Sequence, residues 1–238
     1  MALTILYEDE ALLFVDKPPG LVVQRGYDAD EPVLIDVVQD YLRPKNEHAY
    51  LMQRLDRGTS GAIFFSKLSR INAGLTRQFE RKSIRKAYLA ICEGAVHVHQ
   101  TIDAPLARIG PISFGVRDEG KRAVTVITPL GSSDSSSFLA IDLLSGRTHQ
   151  IRVHLAAIGH PLVGDWLYGE RNTGRPMLHA ASLTMRHPLS GQELSVHAAL
   201  PADFLKEMAC RSIPTADIAI LQSEREDTMT SGEGGNGV

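Results

Sequence analysis

Residues 53–67 constrain the fold more than any other stretch of the 238-residue chain. A cluster of Gly, Thr and Ser at residues 58–61 predicts a tight loop, and the short apolar run at residues 62–65 predicts a buried strand after it. Asp56 lies just before this loop, between two arginines. A carboxylate at the mouth of a buried strand is held rigidly yet stays accessible to a ligand, which indicates a functional site. Simple pairing of Asp56 with its arginine neighbours is the alternative.

The remaining hydrophobic patterns predict both strands and helices. Strands are predicted for two runs within residues 4–15 and for residues 21–24, 62–65, 87–94, 121–129, 138–144, 182–185 and 193–198. Helices are predicted for residues 33–42, 69–85 and 148–158, and for a short segment after Pro201. A chain of this length has room for one large domain or two small ones, with a sizeable core.

Composition favours an ordinary soluble protein. Apolar residues make up 43% of the chain and charged residues 22%, and no apolar run approaches the roughly eighteen residues of a membrane span. Residues 8–10 are acidic, where a signal peptide would be basic and then apolar. Cys92 and Cys210 lie far apart without a CxxC pair, which indicates reduced thiols. We therefore expect a cytoplasmic protein with no membrane partner.

Charge is distributed unevenly along the chain. Residues 222–238 carry four acidic side chains against Arg225 alone, which accounts for the whole net charge of −3. This tail has almost nothing to bury, so we predict a folded domain at residues 1–221 and a disordered tail at 222–238. Residues 70–86 carry six basic side chains against Glu80 alone. Such a local surplus can attract a phosphate backbone, although a solvated helix face would look the same.

Residues 143–155 form the second informative stretch. Gly146 begins a turn, and Thr148 is predicted to cap a helix whose apolar side includes Ile151 and Leu155. Arg152 should then lie at the edge of the buried stripe. The histidines of this region are spaced by five and six residues, and the pair at 97 and 99 lacks a third ligand type nearby. We therefore predict no metal site.

Several motifs occur together in one order, and in that combination the chain resembles the RluA-type family of RNA pseudouridine synthases. The motifs are Lys17-Pro18-Pro19-Gly20, Arg54-Leu55-Asp56 with Thr59-Ser60-Gly61, Lys86-x-Tyr88-x-Ala90, Gly146-Arg147-Thr148-His149-Gln150-x-Arg152-x-His154, Gly159 to Asp165, and Met177-Leu178-His179-Ala180. Gln53 departs from the pattern, because the family most often has histidine there. Glutamine cannot titrate near neutral pH, so no acid–base role is expected at this position.

The resemblance implies an α+β fold with a mixed, largely antiparallel sheet, flanked by helices and loops, and a central active-site cleft. It implies that Asp56 is the catalytic carboxylate, that Arg152 pairs with it, and that the target uracil stacks on Tyr88 opposite Leu178. Further substrate-binding residues implied by the matched motifs are Arg54, Thr59, Arg147, His149 and Gln150. The isomerisation needs no redox cofactor and no metal, and one carboxylate suffices because no water is consumed.

The expected partner is a uridine-containing stem-loop of ribosomal or transfer RNA. We expect a monomer in which the catalytic part is not preceded by the RNA-binding module that many members of the family carry. A non-catalytic RNA-binding or RNA-folding protein on the same fold is the alternative, but it would not need Asp56, Tyr88 and Arg152 together. A metal-dependent hydrolase using the nine histidines is a further alternative.

Overall fold

A computed structural model describes residues 2–26, 31–169 and 174–214. The strands are β1 (Thr4–Glu8), β2 (Leu12–Lys17), β3 (Tyr50–Leu51), β4 (Ser60–Ser66), β5 (Arg85–Glu93), β6 (Gln100–Asp103), β7 (Leu106–Arg108), β8 (Phe114–Val116), β9 (Val124–Ser132), β10 (Ser136–Leu143), β11 (Leu178–Arg186) and β12 (Glu193–His197). The helices are α1 (Leu34–Leu42), α2 (Asn72–Glu80), α3 (Gln150–Ala157) and α4 (Ala202–Cys210). The tail predicted at residues 222–238, and with it the domain boundary at 221, lies outside the described residues.

Ten of these strands form one sheet in the order β1-β2-β4-β11-β5-β10-β9-β6, with β12 beside β11 and β3 beside β4. Every neighbouring pair is antiparallel except β4 and β11, which run parallel. Strands β7 and β8 form a separate hairpin. The predicted α+β fold around a long, largely antiparallel sheet is thus confirmed.

In the middle of the sheet, the segment that follows Asp56 meets the Met177–Ala180 motif. In the parallel pair, Ser60 of β4 aligns with His179 of β11, and Gly61 aligns with Ala180. Gly61 has φ of 110°, and a Cβ atom there would lie 2.2 Å from the carbonyl oxygen of Ala180. Only glycine permits this approach, which brings the loop of Asp56 beside the start of β11.

The sheet is buried on both faces, which explains the continuous apolar runs of its central strands. Along β2, Leu13 and Val15 belong to a core cluster shared with α1 and α3, whereas Leu12 and Phe14 belong to a cluster shared with α2. A third cluster surrounds Phe204 and Met208 of α4. Among the described residues, no helix is long and apolar enough to cross a membrane.

Two helix predictions need correction. The helix predicted at residues 69–85 begins as a short 3-10 turn and ends at Glu80, because Lys82 takes a left-handed φ of 55° and the chain reverses into β5. Thr148 does not cap α3; His149 occupies that position with φ of 56° and makes no capping hydrogen bond through its side chain. The turn before α3 is held instead by the side chain of Gln150, which accepts hydrogen bonds from inside the loop.

Some strand limits also differ from those predicted. The strand predicted at residues 121–129 lies three residues later, as β9, because residues 121 and 123 hydrogen-bond to residues 104–106 before the ladder with β10 begins. Residues 21–24 form only an isolated bridge between Val22 and Val33. Arg152, expected at the edge of the apolar stripe, is buried, because residues 150–155 of α3 are enclosed on all sides.

Candidate active site

The structure has a cleft of about 550 Å³ beside the middle of the sheet. Its walls come from the loop before β4, from β5, from the turn into α3 and from the first residue of β11. All nine sequence-predicted site residues line this single cleft: Arg54, Asp56, Thr59, Tyr88, Arg147, His149, Gln150, Arg152 and Leu178. Asp56 is the one carboxylate among the described residues that line it. Residues separated by more than a hundred positions therefore converge on one carboxylate.

The turn that carries Asp56 is fixed by hydrogen bonds to its backbone. The amide of Thr59 donates to the carbonyl of Asp56 at 3.1 Å, which closes the turn. The fully buried Lys17 ammonium donates to the carbonyl of Arg57 at 3.1 Å and also to the carbonyls of Pro18 and Leu21. Burial lowers the pKa of Lys17 to about 7, against the opposing effect of Asp56. The Lys-Pro-Pro-Gly turn is thereby tied to the loop that carries Asp56.

Arg152 links Asp56 to a second, fully buried carboxylate. Its Nε and Nη2 atoms each lie 2.7 Å from an oxygen of Asp165, and its Nη1 atom lies 3.4 Å from Oδ2 of Asp56. Burial alone would lower the pKa of Arg152, but Asp165 outweighs it and raises the pKa above its ordinary value. A guanidinium that is oriented by one carboxylate is thereby held beside the other.

His149 approaches Asp56 from the other side. Its Nε2 atom lies 3.9 Å from Oδ2 of Asp56, and its Nδ1 atom lies 2.8 Å from the hydroxyl of Tyr168. Burial lowers the pKa of His149, and Arg152 lowers it further against the opposite effect of Asp56, so the imidazole is neutral at pH 7. The Tyr168 hydroxyl accepts a hydrogen bond from the Phe114 amide, which favours donation of its own proton to Nδ1. In that tautomer the Nε2 proton points toward Asp56.

Two adjacent strands supply the apolar part of the cleft. Tyr88 on β5 pairs with Ala180 of β11, and Leu178 on β11 pairs with Ala90 of β5. The side chains of Tyr88 and Leu178 belong to the same core cluster. Both are buried. Burial, and then the nearby charge of Asp56, raise the pKa of Tyr88 well above its ordinary value. Its hydroxyl therefore stays neutral, and the aromatic ring offers a flat apolar surface.

Gln150 lines the cleft, but its amide group is used within the protein. Its oxygen accepts from the Ser145 hydroxyl at 2.8 Å and from the Arg147 amide at 3.0 Å. Its nitrogen donates to the carbonyl of Val124 and to the hydroxyl of Thr125, both at 3.0 Å. Gln150 thus fixes the loop that presents Arg147 and His149.

The basic side chains lie at the rim of the cleft. Arg54 and Arg147 are exposed there, and Lys86 reaches into it, with its Nζ atom 5.0 Å from the centre of the Phe79 ring. The other basic residues of the segment at 70–86 are exposed on α2 or on the turns and strand end beside it. Of these, Arg85 pairs with Glu193 at 3.2 Å.

The residues that hold Asp56 and its loop in place are not apparent from the sequence alone. A matched motif contains Asp165 without indicating its role, and no pattern marks Tyr168 or Arg175. The signal for Asp165 is physical: an arginine buried beside a half-exposed carboxylate needs a second carboxylate to balance its charge. Arg175 donates to the carbonyl of Gly58 at 3.1 Å and pairs bidentately with Asp203. Its partners are too distant in sequence to be read from spacing.

Metal chemistry receives no support from side-chain grouping in residues 2–26, 31–169 and 174–214. No three His, Cys, Asp or Glu side chains there are placed to hold a metal ion together. His99, from the pair considered above, makes a 2.9 Å contact with the Thr128 hydroxyl.

Comparison with known proteins agrees with this site. The RNA pseudouridylate synthase family matches residues 11–157, which include Asp56, Tyr88 and Arg152. The chain belongs to this family and is therefore an enzyme that isomerises uridine in RNA to pseudouridine.

Full-length relatives support the same assignment. The chain is 36% identical to an uncharacterized RNA pseudouridine synthase, YhcT, of Bacillus subtilis, over 84% of this chain and 70% of that protein. It is 34% identical to ribosomal large subunit pseudouridine synthase D of Nitrosomonas europaea, over 91% of this chain and 68% of that one.

Solved structures share the fold. Human RNA pseudouridylate synthase domain containing 1 superposes with a TM-score of 0.68 at 29% identity, and the match covers 84% of each chain. Human RNA pseudouridylate synthase domain containing 4 superposes with a TM-score of 0.76, over 89% of this chain and 94% of that one. At 22% identity, this match shows only that the fold is shared.

Proposed function

We propose that this enzyme modifies specific uridines of large-subunit ribosomal RNA, with Asp56 as its catalytic carboxylate. The observation that carries the catalytic assignment is the placement of Asp56 as the one carboxylate lining the described cleft, beside a guanidinium that Asp165 holds in place. The ribosomal assignment is supported by the relatives named for the ribosomal large subunit, such as those of Nitrosomonas europaea and Zymomonas mobilis.

The reaction breaks the bond between the ribose carbon and N1 of uracil, turns the base and rejoins it through C5. Asp56 either attacks as a nucleophile or stabilises the developing positive charge of the sugar. Hydrolysis of a glycosidic bond normally uses two carboxylates, one of which handles a water molecule. A single carboxylate suits a reaction in which the leaving group stays bound and returns.

The apolar part of the cleft holds the detached base. Tyr88 and Leu178 come from adjacent strands and face the same cavity, so a uracil between them would be stacked on the ring of Tyr88. Because the Tyr88 hydroxyl stays neutral, the ring adds no second negative charge beside Asp56. Such a pocket restrains translation of the base and leaves it free to rotate.

The rim of the cleft binds the RNA backbone. Arg54 lies two residues before Asp56 and is exposed, so it is placed to enter the space that a flipped uridine leaves. Arg147 and the exposed cations of residues 70–86 contact phosphates. Thr59 and Gln150 hold the two loops that present these groups, and the Nε2 atom of His149 lies 3.9 Å from the Asp56 carboxylate.

Transfer RNA is the second substrate class, and a non-catalytic RNA-binding role is the alternative function. The buried Arg152–Asp165 pair argues against the non-catalytic role. Desolvating two charges is costly, and binding RNA phosphates needs only exposed cations. We further propose that the protein acts as a cytoplasmic monomer.

The test uses the purified protein and unmodified transcripts of large-subunit ribosomal RNA and of transfer RNAs. We expect pseudouridine at one or a few uridines of the ribosomal transcript, and the loss of the same pseudouridines from cells that lack the gene. Product in transfer RNA alone would overturn the ribosomal assignment. Tight binding of ribosomal RNA without any product would favour the non-catalytic alternative.

A further inference from the structure

A second pocket of about 400 Å³ adjoins the active-site cleft. The two cavities share Asp56, His149 and Arg152 as lining residues, so they meet at the catalytic group. The outer part of the second pocket is lined by Trp166 and Ile112. The mechanism proposed above uses neither residue.

Trp166 is exposed but lies on a rigid turn. Trp166 is 53% exposed and lines the second pocket, so its indole is accessible to a ligand there. The turn is built on Asp165, whose carboxylate accepts from the amides of Leu167 at 3.1 Å and Tyr168 at 3.2 Å. Gly164 before it has φ of 73° and no room for a Cβ atom. The backbone turn that carries Trp166 is therefore held by the same carboxylate that orients Arg152.

Ile112 belongs to a segment anchored to the same turn. It is 57% exposed and lies between β7 and β8. The amide of Phe114, the first residue of β8, donates to the Tyr168 hydroxyl at 2.9 Å. Two segments that are distant in sequence are thus tied together, and each contributes one exposed apolar side chain to the same cavity.

The cations of the second pocket are already paired. Arg57 forms an ion pair with Glu31, Arg175 pairs with Asp203, and Arg152 pairs with Asp165. Because the side chains of Arg152 and Arg175 are mostly buried and are paired with these carboxylates, they give the pocket little preference for a bare phosphate. The exposed indole instead matches a flat, uncharged aromatic ligand.

We propose that the second pocket binds an unpaired nucleobase of the nucleotide next to the target uridine, stacked on Trp166. This inference rests on the proposed function, since the ligand is part of the same RNA. Every nucleobase has an aromatic face, and stacking on a protein ring is tolerant of base identity. Because the pocket meets the cleft at Asp56, the neighbouring base is held out of the helix together with the uridine. The pocket then contributes to the choice of uridines whose neighbour can also unstack.

Trp166 is the single tryptophan of the chain, so intrinsic fluorescence reports on it alone. The probes are three RNAs. One is a short stem-loop with a loop uridine, and each of the other two is the same RNA without the base of one nucleotide that flanks this uridine. The protein carries Asp56→Asn, so that the RNA is not converted, and filter binding measures occupancy. We expect the intact RNA to quench the fluorescence, and one of the two abasic RNAs to bind without comparable quenching. Bound intact RNA with unchanged fluorescence would overturn the proposal while leaving the proposed function standing.

Kinetics with the otherwise unaltered enzyme provide the second test. Trp166→Ala should lower kcat/KM on the intact stem-loop by about tenfold, and Trp166→Phe should retain most of it. On the abasic RNA that fails to quench, the Ala variant and the parent enzyme should be equal. Leu205→Ala, which removes another exposed apolar side chain away from both cavities, serves as the matched control. Equal losses for Trp166→Ala on intact and abasic RNA would overturn stacking, and absence of product with every RNA would instead count against the proposed function.

Discussion

Arg152 and Arg175 both reach the turn that carries Asp56, but they contact different parts of it. Arg152 points at the carboxylate itself, 3.4 Å from Oδ2, whereas Arg175 donates to the backbone carbonyl of Gly58 two residues later. Each arginine is oriented by a second carboxylate: Asp165 is fully buried, and Asp203 is 45% exposed. The first pair places a cation beside the Asp56 carboxylate, and the second holds the loop that carries it.

The difference in burial separates the energetic roles of the two pairs. A buried ion pair is costly to break from one side, because the remaining charge is left without water. The Arg175–Asp203 pair is half-exposed only at its carboxylate, where water can replace that charge, so neutralising Asp203 costs little. The Arg152–Asp165 pair, which is the harder to break, therefore lies at the Asp56 carboxylate, and the more exposed Arg175–Asp203 pair lies at the backbone of its loop.

The largest effect is expected at the buried pair. Arg152→Gln leaves Asp165 buried and unpaired, and should lower the free energy of unfolding by about 3–5 kcal/mol. The double variant Arg152→Gln with Asp165→Asn removes both charges and should recover most of that stability. Its single-turnover rate should still be lower by about a hundredfold or more, because the cation held 3.4 Å from the Asp56 carboxylate is gone.

Thermal unfolding and single-turnover pseudouridine formation measure the two effects separately. Arg211→Gln is the matched control, because Arg211 also pairs with two carboxylates but does not line the cleft. A double variant that folds and turns over at the normal rate would show that Arg152 is only structural.

How far the sequence predicted this arrangement depends on the kind of contact. The buried strand at residues 62–65, and the convergence of Asp56, Tyr88 and Arg152, followed from local patterning and from matched motifs. The left-handed conformations of Lys82 and His149 could not be read from sequence, because neither residue is a glycine, the type that favours a positive φ. The roles of Asp165 and Asp203 depend on contacts between distant segments, which no periodicity encodes.

An intermediate effect is expected at the second pair. Arg175→Ala removes the donor to Gly58 and should lower kcat by about tenfold, with a loss of about 1–2 kcal/mol in the free energy of unfolding. Asp203→Asn keeps that donor and removes only a half-exposed charge, so it should cost less than about 1 kcal/mol and change kcat little. Steady-state kinetics and denaturant unfolding of both variants give the comparison. If Asp203→Asn were as damaging as Asp165→Asn, burial would not distinguish the pairs.

The smallest effect on activity is expected at Glu8, a carboxylate paired with cations away from the cleft. Burial opposes its ionisation, but hydrogen bonds from Lys45, Tyr41 and Lys67 outweigh this and lower the pKa of Glu8 from 4.5 to about 2. The stabilisation is present above pH 4.5 and is lost as the pH falls toward 2. Glu8→Gln should therefore lower the melting temperature at pH 7 and leave kcat unchanged. A constant difference in melting temperature down to about pH 2 would contradict this account.

The most direct test concerns Asp56 itself. An asparagine side chain is close in size to aspartate but cannot act as an ionised carboxylate, so the Asp56→Asn variant isolates the chemistry from the fold. Single-turnover conversion is measured with the enzyme in excess over an RNA shown to be a substrate of the parent protein. The account predicts normal unfolding, RNA affinity close to that of the parent, and no pseudouridine. Measurable pseudouridine formation by this variant would contradict the central role given to the carboxylate and to the buried pair that orients it.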